Sequence, residues 1–75
     1  MKSLAYDYSK LRGKIKEVCG TQDAFAEKIG IGRVTLSQRL NCQSEFSQDE
    51  ILKACNVLHL DVEKEIPVYF FTLKV

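Results

Sequence analysis

Apolar positions recur at helical spacing along most of this 75-residue chain. Leu11, Ile15 and Val18 form an i, i+4, i+7 stripe, which predicts a first helix from Tyr8 to Cys19 with Asp7 as its cap. Gly20 ends that helix. Gly13 lies inside it and costs roughly 1 kcal/mol relative to alanine, which indicates either close packing or simple tolerance.

Two short helices joined by a glycine turn are predicted over residues 21–41. Thr21 is a suitable N-cap, because its hydroxyl can accept a hydrogen bond from a free backbone N–H of the first turn. Phe25, Ala26 and Ile29 then share one face, and Ala26 is small where two crossing helices would meet. Gly30 can end the helix in a left-handed conformation. A following helix from Arg33 to Leu40 buries Leu36 and Leu40, so the pattern is typical of a helix-turn-helix.

A fourth helix begins at a capping box, Ser47-Gln-Asp-Glu50, and runs to about Leu58. Its predicted buried face consists of Ile51, Leu52, Cys55 and Leu58, and Phe46 is positioned as a hydrophobic staple. Asp61 can cap a short turn over Val62–Ile66, which Pro67 closes.

The tail from Val68 to Val75 is rich in β-branched and aromatic residues and predicts a strand. No other segment is an obvious partner strand. We therefore expect the tail either to pair with a second copy of the chain or to pack Tyr69, Phe71 and Leu73 against helices 1 and 4.

The helix-turn-helix residues resemble the lambda repressor and Cro family. The matching positions are Gln22, Ala26, Gly30, Leu36 and Asn41. The resemblance is closest to small phage Cro-type repressors, and it extends over nearly the whole chain through four segments: residues 6–13, 35–41, 46–51 and 69–75. Cys42 stands where this family often has glycine, just after the second helix of the pair. The resemblance implies a mainly α fold, a lambda repressor-like bundle of four to five short helices in one domain spanning 1–75. The helix-turn-helix, at about 21–41, would be central. A C-terminal extended or β segment would cover 67–75.

Charge is distributed unevenly along the chain. The net charge is +1, but residues 1–44 carry eight cations against four acids, and residues 45–75 carry three lysines against six acids. The basic part contains the helix-turn-helix, which suits binding of a polyanion on one face. A solvated mixed surface is the alternative.

DNA contacts are expected from the second helix of the pair, whose N-terminal end and outer face enter the major groove in such proteins. Arg33 suits guanine, Gln38 suits adenine and Val34 suits the thymine methyl group. The predicted base contacts are Arg33, Val34, Ser37 and Gln38. The predicted phosphate contacts are Gln22, Arg39, Asn41, Gln43 and Ser44. Arg33, Ser37 and Gln38 have an alternative as ordinary residues of an exposed face, and Gln22 has one as a good helix residue. Val34 can instead act as a staple at the helix start, and Arg39 can pair with an acidic neighbour.

The remaining chemistry is sparse. Cys19, Cys42 and Cys55 lack metal-ligand spacing and suggest reduced thiols in a cytoplasm, and the single His59 is an unconvincing catalytic base. We expect no enzyme activity, cofactor or metal. No apolar run reaches the ~20 residues of a membrane span, and Met1–Ala5 does not resemble a signal peptide. A cytoplasmic protein of a bacterial host, encoded by a phage or prophage, is expected.

Two functions follow from these observations. The first is a Cro-type transcriptional repressor that binds double-stranded operator DNA as a homodimer formed through residues 68–75. The alternative is a non-enzymatic protein-binding module on the same fold, of the antirepressor or antitoxin kind.

Overall fold

The chain folds as a mainly helical domain, as the sequence predicts. The computed structural model describes residues 6–73. The helices are α1 (Ser9–Cys19), α2 (Gln22–Ile29), α3 (Arg33–Leu40), α4 (Gln48–Leu58) and α5 (Ile66–Phe70). Within the described residues, β pairing is limited to one antiparallel bridge between Tyr6 and Leu73. The segment 1–5 and the last two residues of the predicted strand lie outside this range.

Local hydrogen bonds set the ends of α1 and α2. Helix α1 begins at Ser9, one residue later than predicted. The carboxylate of Asp7 accepts a hydrogen bond from the backbone N–H of Ser9 at 2.9 Å. The Thr21 hydroxyl accepts from the N–H of Ala24 at 3.1 Å. Gly30 ends α2 in the left-handed region with φ 78°. The predicted caps of α2 are confirmed, whereas the predicted Asp7 cap of α1 is wrong, because Tyr8 is the N-cap residue and no side chain caps this helix.

The capping box at the start of α4 is also confirmed. The Ser47 hydroxyl accepts from the N–H of Glu50 at 3.1 Å, and the Glu50 carboxylate accepts from the N–H of Ser47 at 3.0 Å. These reciprocal bonds satisfy two backbone donors that the first turn of a helix otherwise leaves free.

One apolar core lies between the helices. Helix α2 packs against α1, α3 and α4, and α5 packs against α1 and α4. The most deeply buried side chains include Leu11, Ile15, Phe25, Ile29, Leu36, Leu58 and Phe70. Ala26 is buried as well, which agrees with its predicted place between helices. One prediction for α4 is wrong, because Leu52 is exposed; Ala54, which is absent from the predicted buried face, lies in the core.

The predicted C-terminal strand is wrong. Residues 66–70 form α5, with Pro67 near its start rather than closing a preceding helix. Proline is favoured in the first turn, because it presets φ and because its missing N–H has no helical partner there. The helix directs Phe70 into the core and leaves Phe71 and Leu73 exposed. Burial of Phe70 therefore outweighs the β-propensity of the local sequence.

Two backbone positions that the sequence left open are now defined. A side chain at Gly13 would meet no heavy atom within 4 Å, so α1 tolerates this glycine without using it for packing. Cys42 adopts φ 60°, a conformation that glycine accepts more easily. Its sulfur lies 3.3 Å from the backbone nitrogen of Tyr6 and 3.4 Å from the Tyr6 carbonyl oxygen, which holds the loop after α3 against the N-terminal segment.

Candidate functional site

The outer face of α3 carries the four side chains predicted to contact bases. Arg33, Val34, Ser37 and Gln38 are all exposed on this helix. Val34 has 68% of its surface exposed, which is high for an aliphatic side chain on a helix. The structure therefore brings these residues together on one accessible surface, and their exposure alone is compatible with DNA or with protein as a partner.

Arg33 has an intramolecular partner on α2. Its guanidinium donates to the Asp23 carboxylate at 3.2 Å, and both side chains are exposed. An exposed pair of this kind contributes at most about 1 kcal/mol to stability. Its consequence for binding is local, because the acid partly cancels the charge at the N-terminal end of α3.

Arg39 lies in a tight ion pair that joins α3 to α4. Its guanidinium donates from Nε to Glu50 Oε1 at 2.9 Å and from Nη2 to Oε2 at 3.2 Å, and from Nη1 to the Ser44 hydroxyl. Only 19% of the Arg39 side chain and 13% of the Glu50 side chain are exposed. The hydrogen bonds raise the pKa of Arg39 and lower the pKa of Glu50. The alternative interpretation of Arg39, a pair with an acidic neighbour, is the one that the structure contains.

The other predicted phosphate contacts occupy the start of α2 and the loop after α3. Gln22 is exposed in the first turn of α2, and Gln43 is exposed in the loop. The Asn41 side chain accepts from the Arg12 guanidinium at 3.1 Å and donates to the Ser37 hydroxyl at 3.3 Å. Polar bonds within the chain thus hold both ends of the loop. Asn41 is bound at the α3 end, and Ser44 is bound to Arg39 at the α4 end.

A second exposed surface lies between α4 and α5, and the sequence analysis missed it. An open groove of about 310 Å³ is lined by Gln48, Ile51, Leu52, Ile66 and Phe71. We call it the α4–α5 groove. Leu52 and Phe71 have 52% and 51% of their surface exposed. The available signal was the position of Leu52 beside, rather than within, the Ile51, Cys55 and Leu58 stripe.

Aromatic residues border this groove. Phe71 packs edge-on against Tyr6, with the ring centroids 6.0 Å apart, and Phe46 packs edge-on against both Tyr8 and Phe70. Burial raises the pKa of Tyr8 to about 12. The Phe71 ring is thus exposed on one side and in contact with the Tyr6 ring.

No candidate metal site is found among the described residues. No group of three or more His, Cys, Asp or Glu side chains among residues 6–73 is placed to hold a metal ion. In the same range, no helix combines the length and apolarity needed to cross a membrane.

The family of the chain follows from its sequence over nearly its full length. The model of the family described as "Protein of unknown function (DUF739)" matches residues 4–73. The chain belongs to this family. No curated protein gave a match.

A solved structure resembles the chain over its full length. It is the solution structure of the modulator of repression (MOR) of the temperate bacteriophage TP901-1 from Lactococcus lactis. The two chains share 50% identity, the alignment covers 99% of each, and the TM-score is 0.79.

These comparisons correct three predictions. The chain is similar to a modulator of repression, and not specifically to the Cro-type repressors suggested by its helix-turn-helix. The prediction of an operator-binding repressor is wrong, and the findings favour the alternative of a protein-binding regulator. Operator DNA and a homodimer through residues 68–75 are likewise wrong as the predicted partners. The physical reason for the error is that helix geometry and exposure do not by themselves distinguish DNA from protein as a partner.

Proposed function

We propose that the chain is a non-enzymatic phage regulator that acts by binding a protein, most simply a repressor whose activity it modulates. The observation that carries this proposal is the 50% identity to a phage modulator of repression over 99% of both chains. Similarity of that extent includes the surface as well as the core. The cytoplasm of a bacterial host is the location that this function requires.

The electrostatics of α3 support the proposal. Arg33 is paired with Asp23, and Arg39 is tied to Glu50 and largely buried. Affinity for duplex DNA depends on the number of phosphates that free cations neutralise. Pairing reduces the charge available for that purpose, whereas a surface of paired charges with an exposed Val34 is compatible with a protein partner.

The test compares binding to DNA with modulation of a repressor. The chain is first mixed alone with operator DNA of the phage that encodes it, at low salt and at concentrations up to about 10 µM, a range in which non-specific DNA binding is ordinarily detected. We expect no change in DNA mobility. The repressor of the same phage is then added, and we expect the chain to change the repressor concentration needed for half-occupancy of the operator.

Two controls make the result interpretable. The repressor and the chain are mixed without DNA, where sedimentation should detect a complex. Ala26→Leu serves as a destabilised variant that should lose the effect if the folded surface is required. Direct DNA binding by the chain alone that weakens steeply with salt, without any complex with the repressor, would contradict the proposal.

A further inference from the structure

The α4–α5 groove brings exposed apolar side chains of two neighbouring elements together. Leu52 projects from α4, Phe71 follows α5, and Ile51 and Ile66 lie between them. Exposed apolar patches of this kind commonly mark interaction sites, because the domain gains nothing by leaving them in water. Ile51 and Phe71 also line an adjoining pocket that reaches Glu45, so the apolar surface continues toward that carboxylate.

The groove belongs to the acidic part of the chain. Residues 45–73 carry six carboxylates against two lysines, but Glu50 is paired with Arg39 of α3. Glu45 and Asp49 are both exposed near the start of α4, although Asp49 pairs with Lys53 at 2.9 Å. Residues 6–44, which contain the helix-turn-helix, carry seven cations against four acids, a net charge of +3. Glu45, an exposed carboxylate that lines the pocket adjoining the groove, therefore favours a basic side chain of a partner at this border.

A second copy of this chain is a poor occupant of the groove. In a two-fold contact the same patch meets itself. The Glu45 carboxylates at the borders of the two grooves would then enter the same interface, and like charges across an interface are unfavourable. This argument agrees with the correction of the predicted homodimer through the tail.

We propose that the α4–α5 groove is the docking surface for the protein partner, and that it receives a helix whose apolar side chains are bordered by lysine or arginine. An amphipathic helix lies in a groove by placing apolar side chains at i, i+3, i+4 and i+7 into it. Here Leu52 and Phe71 flank the apolar contact, and Glu45 faces a basic residue at its border. The proposal rests on the proposed function, since it assigns the repressor to this surface rather than to α3.

The test measures binding of the phage repressor to matched variants of the full chain. Leu52→Lys places a cation at the edge of the groove, and Val34→Lys makes the same change on α3. Both native side chains are exposed aliphatic residues on helices, so neither variant should disturb the core. Urea unfolding of each variant checks that expectation. We expect Leu52→Lys to weaken binding about tenfold or more and Val34→Lys to leave it within about twofold.

A second pair of variants tests the charge argument. Glu45→Lys reverses an exposed acid beside the groove, and Glu27→Lys reverses an exposed acid on α2. We expect the first to slow association by several-fold and the second to change it little, because charges at the border of an interface act mainly on the association rate. The difference should shrink at high salt.

The outcomes separate the two proposals. Failure of the unaltered chain to bind the repressor would overturn the proposed function and this inference with it. Binding that Val34→Lys weakens as much as Leu52→Lys, or more, would overturn the groove while leaving the proposed function intact. Equal effects of Glu45→Lys and Glu27→Lys would overturn the basic character assigned to the partner.

Discussion

The ion pair between Arg39 and Glu50 should contribute more to stability than an ordinary surface pair. It joins the end of α3 to the first turn of α4 through two parallel hydrogen bonds, a geometry that favours an arginine–carboxylate pair. Glu50 also completes the capping box by accepting from the N–H of Ser47. Glu50→Gln keeps an oxygen acceptor for the cap but removes the charge opposite Arg39.

The size of the effect follows from burial. Breaking a fully buried pair costs about 3–5 kcal/mol, because one charge is left without compensation. An exposed pair contributes about 0–1 kcal/mol. With 19% of Arg39 and 13% of Glu50 exposed, we expect Glu50→Gln and Arg39→Met each to cost about 2 kcal/mol. The double variant should cost about 1–2 kcal/mol less than the sum of the two single losses, because it removes both charges and leaves none unpaired.

The pH dependence gives an independent check on the same pair. The hydrogen bonds from Arg39 lower the pKa of Glu50 in the folded state. Its contribution is therefore complete above the ordinary glutamate pKa of about 4.3 and is lost as pH falls through the lower folded value. The difference in unfolding free energy between the unaltered chain and Glu50→Gln should be full at pH 7 and should shrink in strong acid.

Urea unfolding is the suitable assay, because guanidinium chloride would screen the pair. The unaltered chain, both single variants and the double variant are compared at pH 7 and again near pH 3. Strictly additive losses would refute an energetic coupling between Arg39 and Glu50. A loss in Glu50→Gln that persists unchanged after the carboxyl is protonated would show that packing, rather than charge, accounts for it.

Four further predictions concern the core and the helices. Ala26→Leu should overpack the buried site and lower the unfolding free energy in urea by about 1–3 kcal/mol, and an unchanged midpoint would contradict the packing of α2. Gly13→Ala should raise the thermal midpoint by stabilising α1 by about 0.5–1 kcal/mol, and a decrease would reveal a hidden contact. Phe70→Ala should cost about 3–5 kcal/mol in urea unfolding while Phe71→Ala costs less than about 1 kcal/mol, and equal losses would contradict the burial of one ring and the exposure of the other. In the folded chain, Tyr8 should ionise near pH 12 when tyrosinate absorbance is measured. Its contribution to stability is therefore present below pH 10 and is lost between about pH 10 and 12. Ionisation near pH 10 without unfolding would refute the burial of Tyr8.

Several helix ends could be predicted from sequence because their causes are local. The Thr21 cap, the Gly30 turn and the Ser47–Glu50 box each depend on residues within four positions of one another. The bonds form between a side chain and the nearest backbone groups, so a short sequence window contains both partners.

The tail could not be predicted from its composition because its conformation depends on distant contacts. Its aromatic and β-branched residues favour a strand, yet Phe70 is buried in a core to which helices α1 and α4 contribute. A helical turn beginning near Pro67 is the geometry that places this ring inward. The exposure of Leu52 has the same kind of cause. The apolar residues of α4 form a face that includes Leu52 at its edge, and the neighbouring helices cover only the part that contains Ile51, Cys55 and Leu58.

The choice of partner depends on contacts that residue counts do not contain. The excess of cations over residues 1–44 predicts charge available to phosphate, but Arg33 pairs with Asp23 ten positions away and Arg39 pairs with Glu50 eleven positions away. An ion pair does not change the number of charged residues in a segment, but it reduces the charge that the paired side chains offer to a partner. A helix-turn-helix scaffold can therefore retain its glycine turn, its caps and its exposed α3 while its surface favours protein over nucleic acid. In such a domain the informative quantity is the set of cations without an intramolecular partner, and only the folded arrangement supplies it.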